Sequence, residues 1–248
     1  AVGVPRRSTH VRLCMYPDGG VARLRVHGEI VPDPRFLTAG AIDLAALEHG
    51  GDVSGCSNMF YSSPKNLISP GLARVMGEGW ETARRRDDGN DWVEFRLAGA
   101  GVVRLAELDT SWFVGNAPGW ASLRARDARA GNPEDPGSWV ELLPRARLLP
   151  DTRHRFRLDG GAAEATHVRL DVYPDGGMAR VRLYGDLTAQ ARADLGLRWL
   201  NLLPDRHARQ VLVDDGGLDP AAADKLVSAR PLATPTEVPP ALRALLGG

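Results

Sequence analysis

A twenty-residue segment occurs twice in this chain. Thr9–Gly28 reads THVRLCMYPDGGVARLRVHG, and Thr166–Gly185 reads THVRLDVYPDGGMARVRLYG. The copies lie 157 residues apart and differ at six of twenty positions, which marks an internal duplication. Each alternates apolar and polar residues with period two around a turn rich in Pro, Asp and Gly. In the second copy Val168 and Leu170 face one way, His167 and Arg169 the other. Beyond Tyr173–Gly177 the alternation resumes with Ala179, Val181 and Leu183 inward and Arg180, Arg182 and Tyr184 outward. The pattern predicts a β-hairpin with one buried and one basic face, glycine supplying the positive φ of the turn.

If the hairpin closes a repeat, residues 36–186 form one complete unit. Residues 1–28 are then the closing hairpin of a truncated first repeat, and 29–35, with two prolines, the linker. A lone hairpin is marginal in water, so this one has to pack on the complete unit, another subunit or a partner chain.

Inside the complete unit, strand-like stretches recur between Gly/Pro clusters: Asp52–Ser57, Trp92–Leu97, Val102–Asp109, Ser138–Leu143 and Arg153–Leu158. With 28 Gly and 18 Pro in 248 residues, turns are dense enough for many short strands. The expectation is a mainly β jelly-roll sandwich with ligands bound by loops at one end. After Gly185 the period changes. Leu187, Ala191, Leu195, Trp199 and Leu203 recur every four residues up to Pro204; Asp205 is placed to cap a second helix ending near Gly216. Asp219-Pro220 starts a third that Pro231 ends, and Pro239-Pro240 a last short one. Residues 187–248 therefore read as a small all-α tail, a docking or oligomerisation appendage.

The formal net charge is zero, which argues against a nucleic-acid or anionic-membrane partner. No apolar run reaches the roughly 20 residues of a membrane span. Two cysteines, Cys14 and Cys56, make no disulfide framework, so a cytoplasmic location is expected.

The segments CSNMFYSSPKNLISPG (56–71), GEGWETARRRDDGNDWVEFRL (77–97), LDTSWFVGNAPG (108–119) and WVELLPR (139–145), with the repeated THVRL–YPDGG–ARxR–G, occur in the order of the allantoicase repeat. Over residues 1 to about 186 the chain resembles that family. The resemblance implies a galactose-binding-domain-like jelly roll and hydrolysis of allantoate to ureidoglycolate and urea, a step of allantoin and purine catabolism. Family members carry two full repeats, so it also implies a homo-oligomer or a partner chain supplying the missing one. Many members have histidine where Asn90 and Trp112 stand here. The competing readings are a non-catalytic jelly-roll binding module and an inactive fragment that needs its partner.

Allantoate, a carboxylate with two ureido arms on one carbon, calls for a cation fork, amide partners and an acid/base for departing urea. Arg84, Arg85 and Arg86 are the candidates for the fork, against the plainer reading of a solvated basic loop. Glu81 or Asp109 is the candidate acid/base, although an Asp at a turn commonly fixes backbone amides instead. Thr110 and Asn116 lie in the loop after Asp109, Asn116 to orient a ureido arm; Trp80, Phe113 and Tyr61 are candidate walls. The six histidines form no HxH, HxxxH or HExxH arrangement, and GxSxG, P-loop and GxGxxG motifs are missing, so neither metal nor cofactor is expected.

Overall fold

The structure, a computed structural model, describes residues 6–37, 40–130, 135–158 and 163–246. Two compact units divide the chain: residues 36–192, and residues 1–35 with 193–248.

The larger unit contains β1 (Ile42–Asp43), β2 (Asp52–Cys56), β3 (Trp80–Glu81), β4 (Asp91–Asp109), β5 (Trp120–Arg126), β6 (Val140–Arg147), β7 (Arg153–Arg157), β8 (Ala165–Tyr173), β9 (Gly177–Met178) and β10 (Arg180–Leu187). The two strands expected at 92–97 and 102–109 are halves of one long strand, β4. Its first half pairs antiparallel with β2 and β8, its second half with β10 and β7. Asp91 lies opposite Val172 and Asp109 opposite Arg180. A straight strand of this length would hold its ends about 60 Å apart, yet the chain from Tyr173 to Arg180 spans at most about 25 Å. So β4 folds back on itself. The register shift between Arg96 and Gly101 marks the bend, which the small residues Ala98, Gly99, Ala100 and Gly101 form. One layer is then β2, the first half of β4, β8, β5 and β6; the other is β1, β10, the second half of β4 and β7. Both ends of β4 come to the same end of the sandwich.

Alternation dictates the core between the layers. Val93, Phe95, Val168, Leu170, Val172, Ala121 and Leu123 come from one layer, and Ala106, Leu108, Val181 and Leu183 from the other; all are fully buried. The arginines Arg180 and Arg182, expected on an open outer face, are buried as well. The loop 69–79 lies over them, and its carbonyls accept their hydrogen bonds: Arg182 Nη2 donates to Ser69 O at 2.6 Å and Gly71 O at 2.7 Å.

The first copy behaves differently. Residues 6–33 form no strand. Its turn resembles that of the second copy, with Gly19 at φ 141° and Gly176 at φ 136°, but the ladder is missing. Val11 is 61% exposed and Leu13 49%, whereas their counterparts Val168 and Leu170 are at 0%. The physical reason is the absence of a neighbour: the second copy clasps the two halves of β4, and no described segment plays that part for the first.

The smaller unit holds most of α1 (Ala189–Leu202), with α2 (Asp205–Asp214), α3 (Pro220–Ala229) and α4 (Pro240–Leu245). Trp199, Leu200, Leu203, Leu212, Leu242 and Leu246 form its core. Asp219 caps α3 by accepting from the amides of Ala221 and Ala222. Asp205 is not the cap of α2. Pro204 occupies that position, and Asp205 is the first helical residue, where its carboxylate suits the helix dipole and pairs with Arg230 Nη2 at 2.7 Å. No described helix is long and apolar enough to cross a membrane.

Phe95→Ala should destabilise the larger unit by about 3–5 kcal/mol, because it empties a fully buried site between the layers; chemical denaturation measures this. His167, half-buried on the outer face of β8, provides a pH test. Burial, and then the nearby Arg126, hold its imidazole below the ordinary histidine range. The unfolded chain therefore takes up this proton first, so stability falls as pH drops below about 6.5 and levels off below the folded value. His167→Gln should flatten that part of the stability–pH curve.

Candidate active site

Because β4 folds back, Asp91, Asp109 and the turn 174–179 gather at one end of the sandwich. Asp91 N–H donates to Pro174 O at 3.1 Å and Ala179 N–H to Asp109 O at 2.8 Å. The loops 57–63, 69–79, 82–90 and 110–119 close over this end.

Glu81 and Asn116 meet here. β3 pairs with β9, Glu81 opposite Gly177, and Gly177 N–H donates to Asn116 O at 2.8 Å, which ties the 110–119 loop to the ribbon. Asn116 Nδ2 then donates to Glu81 Oε1 at 2.7 Å and touches Met76 Sδ at 3.6 Å. On its other side Glu81 is bridged to Tyr61 through both backbone amides, at 3.0 and 3.1 Å. Glu81 is half-buried and Tyr61 exposed.

The other expected residues are placed otherwise. Asp109 is buried, and its Oδ1 accepts from Ser111 N–H at 2.8 Å, fixing the turn that follows. Thr110, also buried, donates to Leu149 O at 2.6 Å and accepts from Thr152 N–H at 3.0 Å. Trp80 and Phe113 do not wall a cleft; both are core. Trp80 Nε1 donates to Asn58 O at 2.9 Å, and Phe113 packs on Ala73 and Ala179. A Cβ on Gly177 would lie 2.0 Å from the Phe113 ring, so only glycine permits that packing. The arginine run does not act as one fork. Arg85 is held by Asp91 Oδ1 at 2.7 Å and Asp87 Oδ1 at 3.0 Å, while its amide donates to Asp175 at 2.8 Å. Arg84 and Arg86 are exposed. Arg85 and Asp109 therefore share an end of the sandwich without converging on one cleft.

Sequence reasoning missed two features of this end. Trp112 and Ser62 have positive φ, 73° and 64°, rare for residues with side chains. Both reach the same segment: Trp112 Nε1 donates to Ala73 O at 2.9 Å and Ser62 Oγ to Gly77 O at 3.0 Å. Their side chains thus pin both ends of the 73–77 stretch, which carries Met76. The second is Asp171, buried on the outward side of β8, which accepts from Asn90 at 3.0 Å, Arg124 at 2.9 Å and Arg169 at 3.2 Å. Its only signal in the sequence is that the first copy has Cys14 at this place. Among the described residues no three His, Cys, Asp or Glu side chains are grouped to hold a metal ion.

The family model of the allantoicase repeat matches residues 1–31 and 42–188. The chain belongs to the allantoicase family. A probable allantoicase of Nocardia farcinica is 62% identical over 181 residues, 73% of this chain and 53% of that one. An allantoicase of Dictyostelium discoideum is 42% identical over 186 residues, 73% of this chain and 50% of that one. The crystal structure of the Saccharomyces cerevisiae allantoicase superposes with a TM-score of 0.60 at 32% identity, covering 69% of this chain and 49% of that one. The chain thus spans about half the length of the allantoicases it matches, and its larger unit is a mainly β antiparallel sandwich.

Replacing the turn-fixing carboxylate, Asp109→Ala, should lower stability by about 1–3 kcal/mol, since it leaves the Ser111 amide without its acceptor. Thermal denaturation measures this, and an unchanged midpoint would remove the structural role.

Proposed function

We propose that this chain carries the second repeat of an allantoicase and serves hydrolysis of allantoate to ureidoglycolate and urea in purine breakdown. In that reaction the bond between the central carbon and one ureido nitrogen breaks. The departing nitrogen takes a proton and leaves as urea, and the oxygen of water ends on the central carbon. The observation that carries the assignment of residues is the 2.7 Å contact between Asn116 and Glu81 in the loop end of a family jelly roll. Glu81 is the acid/base and Asn116 the amide that orients a ureido arm. Arg84 and Arg86, exposed on the neighbouring loop, are the cations for the carboxylate; Arg85 holds that loop through Asp91. The two free cysteines, Cys14 and Cys56, suit a cytoplasmic enzyme.

Urea release from allantoate tests this reading. Glu81→Gln should lower kcat by about 10²–10⁴ with little change in KM, the usual worth of a positioned acid/base. Asn116→Ala should raise KM. Full activity of Glu81→Gln would move the chemistry elsewhere.

The exposed first copy supports a second element of the proposal. Residues 9–28 correspond to the closing strands of another allantoicase repeat, the rest of which is not contained in residues 1–248. The support is the contrast between Val11 and Val168, together with relatives about twice as long. Co-expression with the N-terminal half of the Nocardia farcinica relative should give a complex that Leu13→Asp abolishes, while unit 36–192 stays folded. A complex indifferent to Leu13→Asp would refute this pairing.

A further inference from the structure

Beside the ribbon that presents Glu81 lies a cavity of about 460 Å³ whose lining includes Asn66, Ser69, Leu72, Arg74, Glu78 and Arg180. Its size is within the range of small-molecule sites. Arg180 is only 4% exposed. Nε donates to Gly71 O at 3.0 Å, and Nη1 to Glu78 O and Ala179 O, each at 2.7 Å. These three bonds lock the plane of the guanidinium and leave Nη2 outside them.

What Arg180 lacks is a close ion pair. Its neighbour Arg182 has Asp43 Oδ2 at 3.5 Å, but no carboxylate among the described residues is in ion-pair reach of Arg180. Burial, and then repulsion by Arg182, depress its pKa against the longer-range attraction of Glu78 and Asp109. A buried cation without a close ion pair is costly, and carbonyl dipoles and more distant carboxylates compensate it only in part. A carboxylate entering the cavity would meet a guanidinium already oriented, so the charge-assisted bond forms with little reorganisation.

The geometry points to a binding site for a small monocarboxylate beneath Arg180, separate from the Glu81–Asn116 pair. Charge selects the monoanion. Arg74 and Glu78 neutralise one another through a 2.5 Å ion pair, so among the lining side chains Arg180 is the cation left without an ion pair, and a phosphate dianion would face Glu78 in excess. The Asn66 carbonyl oxygen, whose amide nitrogen is already committed to Gly79 O at 2.9 Å, is left for the polar remainder of the ligand, while the Ser69 hydroxyl donates to Lys65 O at 3.1 Å and keeps only acceptor capacity. Separation follows from register. Glu81 lies opposite Gly177, whereas Arg180 lies three residues further along the strand, about 10 Å at ~3.4 Å per residue, and its guanidinium reaches Glu78 O.

The test is an NMR titration of the full chain with glycolate, its neutral counterpart glycolamide, and inorganic phosphate. Glycolate should bind saturably and at least tenfold more tightly than either of the others. Arg180→Lys should weaken it at least tenfold. Because Arg180 also fastens the 69–79 loop, Leu72→Trp gives an independent arm: Leu72 is an exposed residue of the lining, and its enlargement is chosen to occupy the cavity while leaving Arg180 in the sequence. It should abolish glycolate binding while leaving the melting temperature unchanged. Glu81→Gln should leave binding intact, which keeps this result apart from the fate of the catalytic reading. Equal affinity for glycolate and glycolamide, or for phosphate, overturns the assignment. So does binding that survives Leu72→Trp, binding lost in Glu81→Gln, or no binding at all.

Discussion

One strand holds the sandwich together. β4 contributes its first half to one layer and its second half to the other, and the bend between them is obligatory, because only six residues separate β8 from β10. Large side chains cannot turn that corner. A Cβ on Gly101 would stand 2.7 Å from Asp186 O, which is why small residues crowd the stretch 98–101. The same fold-back brings Asp91 and Asp109 to one end and delivers the loops that follow each of them to a common place. The candidate site exists because β4 reverses.

Around that end, backbone carbonyls and amides are met by side chains far away in sequence. Asn58, Asn66, Thr82, Thr110 and Trp112 each bond the backbone of a different loop. Buried loop backbone needs such partners, since unsatisfied polar groups are expensive away from water. Many polar residues that look chemically capable are used up in this way. Asp109 and Thr110 fix the turn after β4, and Arg85 ties its loop to Asp91. Of the candidates, Glu81 and Asn116 are two whose side chains the loops bring into hydrogen-bond contact.

The repeated segment shows how far local sequence reaches. Both copies have the same turn residues and the same positive-φ glycine, a local property. Only the second has strands, because a ladder needs the backbone of a neighbour and β4 is that neighbour. Arg180 and Arg182 teach the same lesson: their outward direction follows from alternation, but their burial depends on the 69–79 loop, whose position no period reveals.

The sequence alone determined the duplication, the alternating strands, the helical character of residues beyond 187 and the motifs of the allantoicase repeat, because each depends on neighbours within a few residues or on ordered motifs along the chain. It also held the glycines on which the turns and the bend rely. Tertiary structure decided that 92–97 and 102–109 are one strand, that Trp80 and Phe113 are core, that Pro204 rather than Asp205 precedes α2, and that Arg84–Arg86 do not close on Asp109. Each of these turns on which distant backbone carbonyl, carboxylate or apolar surface arrives beside the residue, and that is set by the folding-back of β4 rather than by any local preference.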